Sequence, residues 1–147
     1  MKYERILIVA DDSPSAIKAV KYGFELARQL GAKVKIGLID ALEPAKTEGN
    51  VDAGIFPDDA ENTAKKDAEK FLHGLAKDYG KGVETEYFAP EGEVHDVVLQ
   101  MAREWDAHLI VAGTHGRKGL NRLLEGSIAE GILRDSQVPL FIVPMDK

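Results

Sequence analysis

Arg5-Ile6-Leu7-Ile8-Val9-Ala10-Asp11-Asp12-Ser13-Pro14 is the stretch on which the fold turns. Arg5 to Ala10 reads as a buried strand, short and rich in β-branched residues. A helix starts directly after it. Ser13 stands at the N-cap and Pro14 at the first helical position, where a missing N–H is no loss. Ile17, Val20, Phe24, Ala27 and Leu30 then recur at spacings of three and four, one apolar stripe, and Gly31 ends the helix. A buried strand feeding straight into an amphipathic helix is the opening of a βαβ unit.

The pattern repeats along the chain. Lys33 to Asp40 reads as a strand, and Pro57 to Tyr79 as a helix with Ala64, Ala68, Phe71, Leu72 and Leu75 on one face. Val83 to Ala89 alternates, with Val83, Thr85 and Tyr87 on one side against Glu84, Glu86 and Phe88, as a half-exposed edge strand does. Glu93 to Trp105 is a helix through Val94, Val97, Val98, Met101, Ala102 and Trp105. His108 to Gly113 is a buried strand, Ser127 to Asp135 a short helix, and Val138 to Val143 the last strand. Five strands separated by helices predict an α/β fold. It is a three-layer sandwich, with a five-stranded parallel sheet between helices on both faces.

Composition narrows the functions open to such a domain. The chain has 147 residues, 44% of them hydrophobic, enough for one sizeable core, and a single domain over 1–147 is expected. There is no cysteine, which excludes a disulfide framework, a thiol nucleophile and a Cys-ligated metal. Nineteen basic against 25 acidic residues give a net charge of −6, so the electrostatic footprint of a nucleic-acid binder is missing. The longest apolar run, Ile6 to Ala10, is far short of a membrane span, so no membrane insertion is expected. Met1 to Arg5 shows no leader pattern, and a cytoplasmic location is expected.

Two connections stand out. Ala41 to Phe56 is long for a strand-to-helix link, and the acids around it outnumber the single Lys46; a solvated loop is the expectation. The other is Gly113-Thr114-His115-Gly116-Arg117-Lys118-Gly119-Leu120-Asn121-Arg122-Leu123-Leu124-Glu125-Gly126-Ser127, which leaves a buried strand and enters a helix. Gly113 and Gly116 permit a tight turn whose N–H groups converge on an anion. Gly126 lets a ligand approach a helix N-terminus, where free N–H groups favour phosphate, and Ser127 adds a hydroxyl. Arg117, Lys118 and Arg122 supply positive charge. Ser127 and Glu130 also have capping-box spacing, which serves the helix alone. Neither G-x-x-x-x-G-K-[ST] nor G-x-G-x-x-G occurs. His73, His95, His108 and His115 show no metal-ligand spacing, and Tyr79 and Trp105 fall at packing positions.

Gly113-x-x-Gly116, nine residues, then Gly126-Ser127 matches the G-2x-G-9x-G-[S/T] motif of the ATP-binding branch of the universal stress protein family. The opening Ile6-Leu7-Ile8-Val9-Ala10-Asp11-Asp12-Ser13 resembles that family's I-L-V-x-V-D-G-S, and Ala107 to Gly116 resembles its D-L-I-V-x-G-[ST]-H-G strand. Ser127-Ile128-Ala129-Glu130 and Val138 to Val143 resemble its closing helix and strand. The resemblance implies strand order 3-2-1-4-5 in a Rossmann-like sheet of the adenine nucleotide alpha hydrolase type. In that order the sheet has its switch point between strands 1 and 4, so Asp11 and Gly113 border one crevice.

It also implies a bound adenine nucleotide: ATP, or ADP or AMP, with Mg2+. By position, Asp11 and the backbone at Val9 and Leu38 face the adenine, with Ala10 and Ser13 alongside. Ala112 and Gly113 lie by the ribose; Gly116, Gly126, Ser127 and Ile128 surround the phosphates, with His115 and Arg117 in the same loop. Asp12 stands where the family usually has Gly. It points to solvent or, with Asp11, holds a divalent cation. No catalytic residue is nominated. The function implied is a cytoplasmic stress-response regulator whose nucleotide occupancy modulates self-association or partner binding. The alternatives are a slow ATP hydrolase or nucleotide-transfer enzyme and a nucleotide-free interaction module. A homodimer through the edge strand 138–143 is expected.

Overall fold

The computed structural model describes residues 2–10, 14–38, 57–89, 94–113 and 128–144. Over them, strands and helices alternate as β1 (Arg5–Ala10), α1 (Pro14–Leu30), β2 (Lys33–Leu38), α2 (Pro57–Tyr79), β3 (Thr85–Phe88), α3 (Val94–Glu104), β4 (Leu109–Gly113), α4 (Ile128–Asp135) and β5 (Leu140–Val143). All pairings are parallel and the order is β3-β2-β1-β4-β5, as the resemblance implies.

Strand alternation divides the core. Ile6, Ile8 and Ala10 of β1, Val34 and Ile36 of β2, and Leu109 and Val111 of β4 pack under α1 and α2. From the helices come Val20, Phe24 and Ala27, and Ala68, Leu72 and Leu75. Leu7, Val9 and Ile110 face the other way, against Val98, Leu99 and Ala102 of α3 and Ile132 of α4. The central strands are buried on both faces, which is why they read as unbroken apolar runs. Gly23 brings α1 close to the sheet: a Cβ there would stand 2.6 Å from Cδ1 of Ile8.

The outer strands are different. On the α3 side, β2 and β3 carry a ladder of ion pairs, Lys33 with Glu84 and Lys35 with Glu86, each at 3.6 Å. The Lys35 ammonium also lies 5.8 Å from the Trp105 ring centroid, within cation–π range. Polar residues on this part of β2 are thus partnered.

Several boundaries move inward from the sequence expectation. β3 starts at Thr85 rather than Val83, because Gly82 takes φ 83° and the Val83 N–H donates to the Gly80 carbonyl at 2.9 Å, completing a turn. α3 closes at Glu104, since Asp106 adopts φ 58° and the Ala107 N–H reaches back to the Ala102 carbonyl at 2.9 Å. β4 starts at Leu109 rather than His108. β5 begins at Leu140, because Ser136 Oγ donates to the Val138 carbonyl at 2.7 Å and Pro139 has no N–H to pair. β2 is described to Leu38 and α4 from Ile128; residues 39–40, Glu93 and Ser127 lie outside the described residues.

Gly31 ends α1 as expected, with φ 67° and an Ala32 N–H to Ala27 carbonyl bond of 2.9 Å. Leu30 is not on the buried stripe: it is 45% exposed. At about 100° per residue it falls about 60° beyond Ala27, off the edge of the apolar face.

Candidate functional site

The crevice forms where two strands part. β1 pairs with β4 from Ile6↔Leu109 to Ile8↔Val111 and no further. β1 meanwhile stays paired with β2 to Ala10↔Leu38, and β4 with β5 to Gly113↔Val143. Beyond Ile8 and Val111 the two central strands therefore diverge, each held by its outer neighbour. This is the switch point of the sheet, where α/β domains of this order bind ligands.

Both helices on the α3 side begin at that same edge, because each follows a strand that ends there. α4 therefore has its N-terminus, whose first N–H groups lack intrahelical acceptors, at the carboxyl edge of the sheet. Val9 is buried at the lip and Ala112 and Gly113 are part-exposed. Ala10 is buried on the α1 side, and Leu38 and Ile128 are placed by their backbones at the ends of β2 and α4. Val9, Ala10, Leu38, Ala112 and Gly113 thus come together at the strand ends, and Ile128 at the start of α4. Asp11, Asp12, Ser13, His115, Gly116, Arg117, Gly126 and Ser127 lie outside the described residues, as does the segment Ala41 to Phe56.

Three of the histidines have structural roles. His73 stacks on Tyr87 with ring centroids 3.9 Å apart. His108 Nδ1 accepts the Glu4 and Arg5 N–H groups at 3.0 and 3.2 Å. His95 lies between two carboxylates, Nδ1 at 3.0 Å from Asp96 and Nε2 at 2.9 Å from Asp135. Bonding to Asp96 first, and to Asp135 next, raises its pKa above 6.5. The pairing ties α3 to the last residue of α4. Among the described residues no group of three or more His, Cys, Asp or Glu is placed to hold a metal ion. Tyr79 and Trp105 pack against the two halves of the core, as their spacing predicts.

The chain is thus a doubly wound α/β domain whose central strands separate at their carboxyl ends. The universal stress protein family model matches residues 2–144, and the chain belongs to that family. Universal stress protein MJ0531 of Methanocaldococcus jannaschii is 27% identical over 150 residues, covering 99% of this chain and 84% of that protein. Among solved structures, MJ0577 of the same organism superposes with a TM-score of 0.83 at 20% identity, covering 100% of this chain and 99% of that one. A universal stress protein solved in complex with cAMP superposes with a TM-score of 0.67 at 23% identity, covering 99% of this chain and 100% of its own. Among the described residues, no helix is long and apolar enough to cross a membrane.

Proposed function

We propose that this chain binds an adenine nucleotide in the crevice between β1 and β4, and that occupancy modulates its self-association. The observation that carries the reading is the divergence of β1 and β4 beyond Ile8 and Val111, at the same edge of the sheet where α4 begins. The cAMP complex of a family neighbour supports an adenine nucleotide as the ligand class.

In this reading the ligand is ATP with Mg2+. Its base lies against the backbone at Val9 and Leu38 with Asp11, and its ribose by Ala112 and Gly113. Its phosphates are held by N–H groups at Gly116, Gly126, Ser127 and Ile128, and at the two glycines the absent side chain lets the ligand approach. Ala10 and Ser13 line the base end, and His115 and Arg117 add polar and positive groups to the loop. The protein acts as a single-domain cytoplasmic regulator, with β5 as its self-association edge.

Calorimetric titration with Mg-ATP tests the pocket. Wild type is expected to bind, and Gly126→Val to bind roughly tenfold or more weakly, since a branched side chain displaces charge-assisted phosphate bonds. Equal affinity in the two proteins would remove the phosphate assignment.

A further inference from the structure

One aromatic ring at the carboxyl edge of the sheet is placed where the surrounding pattern calls for a charge. On the α3 side, β2 and β3 set Lys33 beside Glu84 and Lys35 beside Glu86. The next rung in the same register is Gly37↔Phe88. Here the ladder stops being ionic: one strand has no side chain and the other carries a phenyl ring.

The two features depend on each other. A Cβ on Gly37 would collide with Cζ and Cε1 of Phe88 and come within 2.7 Å of Cε2. The tip of the ring therefore lies over the bare backbone of β2 instead of standing up from β3. Gly37 is paired on its other side with Val9. The ring tip thus sits about 4.8 Å, one strand spacing, from the strand that borders the crevice.

Phe88, Val9 and Ala112 all belong to the α3-side core, and Phe88 and Ala112 are only part-buried. Together they make an apolar shelf along the carboxyl edge, beginning at β3 and ending at the gap between β1 and β4. Among the described residues Phe88 is the only ring on that shelf.

We infer that Phe88, laid over Gly37, is a specificity-determining residue of the crevice. It supplies a flat apolar wall that favours the larger π surface of a purine base over a pyrimidine. This rests on the nucleotide reading above. A ring beside a base adds stacking energy that the phosphates neither share nor feel, so its contribution separates from theirs.

The test titrates wild type, Phe88→Leu and Phe88→Ala with Mg-ATP, Mg-CTP and inorganic tripolyphosphate, alongside thermal melts. Loss of the ring is expected to weaken ATP roughly tenfold and to shrink the ATP-to-CTP preference, with tripolyphosphate unchanged. Phe88→Leu keeps most of the apolar volume without the π face, and it decides the matter if Phe88→Ala does not fold. Wild type that binds ATP while the folded variants bind it equally well would overturn the role of Phe88 and leave the pocket standing. Equal weakening of ATP and tripolyphosphate would also overturn it, as a loss of general order. Wild type that binds no adenine nucleotide would overturn the pocket and this inference together.

Discussion

Gly37 has no side chain because Phe88 occupies the space one would fill. Gly37→Ala forces the part-buried ring off the strand, an overpacking expected to cost about 1–3 kcal/mol. Combining it with Phe88→Ala removes the collision, so the double variant should lose less than the two single losses added together. Urea denaturation of the four proteins measures this coupling, and strict additivity would show that the two residues do not share the site. The sequence carried a signal for this pair: Glu84, Glu86 and Phe88 share one side of an alternating strand, and the third departs from the first two. Periodicity flags the exception but not where the ring lies, since that depends on a glycine from another strand. Asp106 is similar. Its left-handed conformation ends α3 without glycine, held by Arg5 from β1 through bonds of 2.8 Å to its carbonyl and 2.9 Å to its carboxylate.

At the scale of elements, α3 and α4 are joined by a titratable tie. His95 has both ring nitrogens against carboxylates, an arrangement that suits the doubly protonated ring. Its folded pKa is raised, so the stabilisation is fully present below the unfolded value of 6.5 and is lost as pH rises through the folded value. The urea midpoint of wild type, measured against His95→Gln from about pH 5.5 to 8.5, is expected to show an excess at the acid end that fades upward. A constant difference across that range would remove the tie. Element identity was legible because apolar spacing is a local property: every strand and helix read from the sequence is present. The ends were less legible, because the turn at Gly80–Val83, the Ser136 fold-back and the Asp106 stop are made by hydrogen bonds the spacing does not encode. Asp135 as a partner of His95 lies forty residues away, and no spacing rule connects them.

At the scale of the whole molecule, alternation of strands and helices predicts a parallel sheet but not its order, which came from the family resemblance and agrees with the structure. The strand-end half of the candidate site follows from that order. The loop half rests on the glycine spacing, and most of its residues lie beyond what the structure describes. β5 forms one margin of the sheet, with Phe141 39% and Ile142 38% exposed. If this margin pairs with a second copy, Phe141→Lys places a charge in the contact and should shift sedimentation towards monomer with little change in thermal stability. Unchanged sedimentation of an associating wild type would exclude β5 as the contact.

The position of β1 has a consequence for how the molecule comes into being. Of the five described strands the first in chain order lies in the middle of the sheet, and Ile6 has to wait for Leu109 before its second flank is closed. While the ribosome is still at work, β1, α1 and β2 can dock as a unit, but one side of that unit stays bare until most of the chain has emerged. The apolar run that makes β1 a good core strand is therefore left half-covered until β4 has been made.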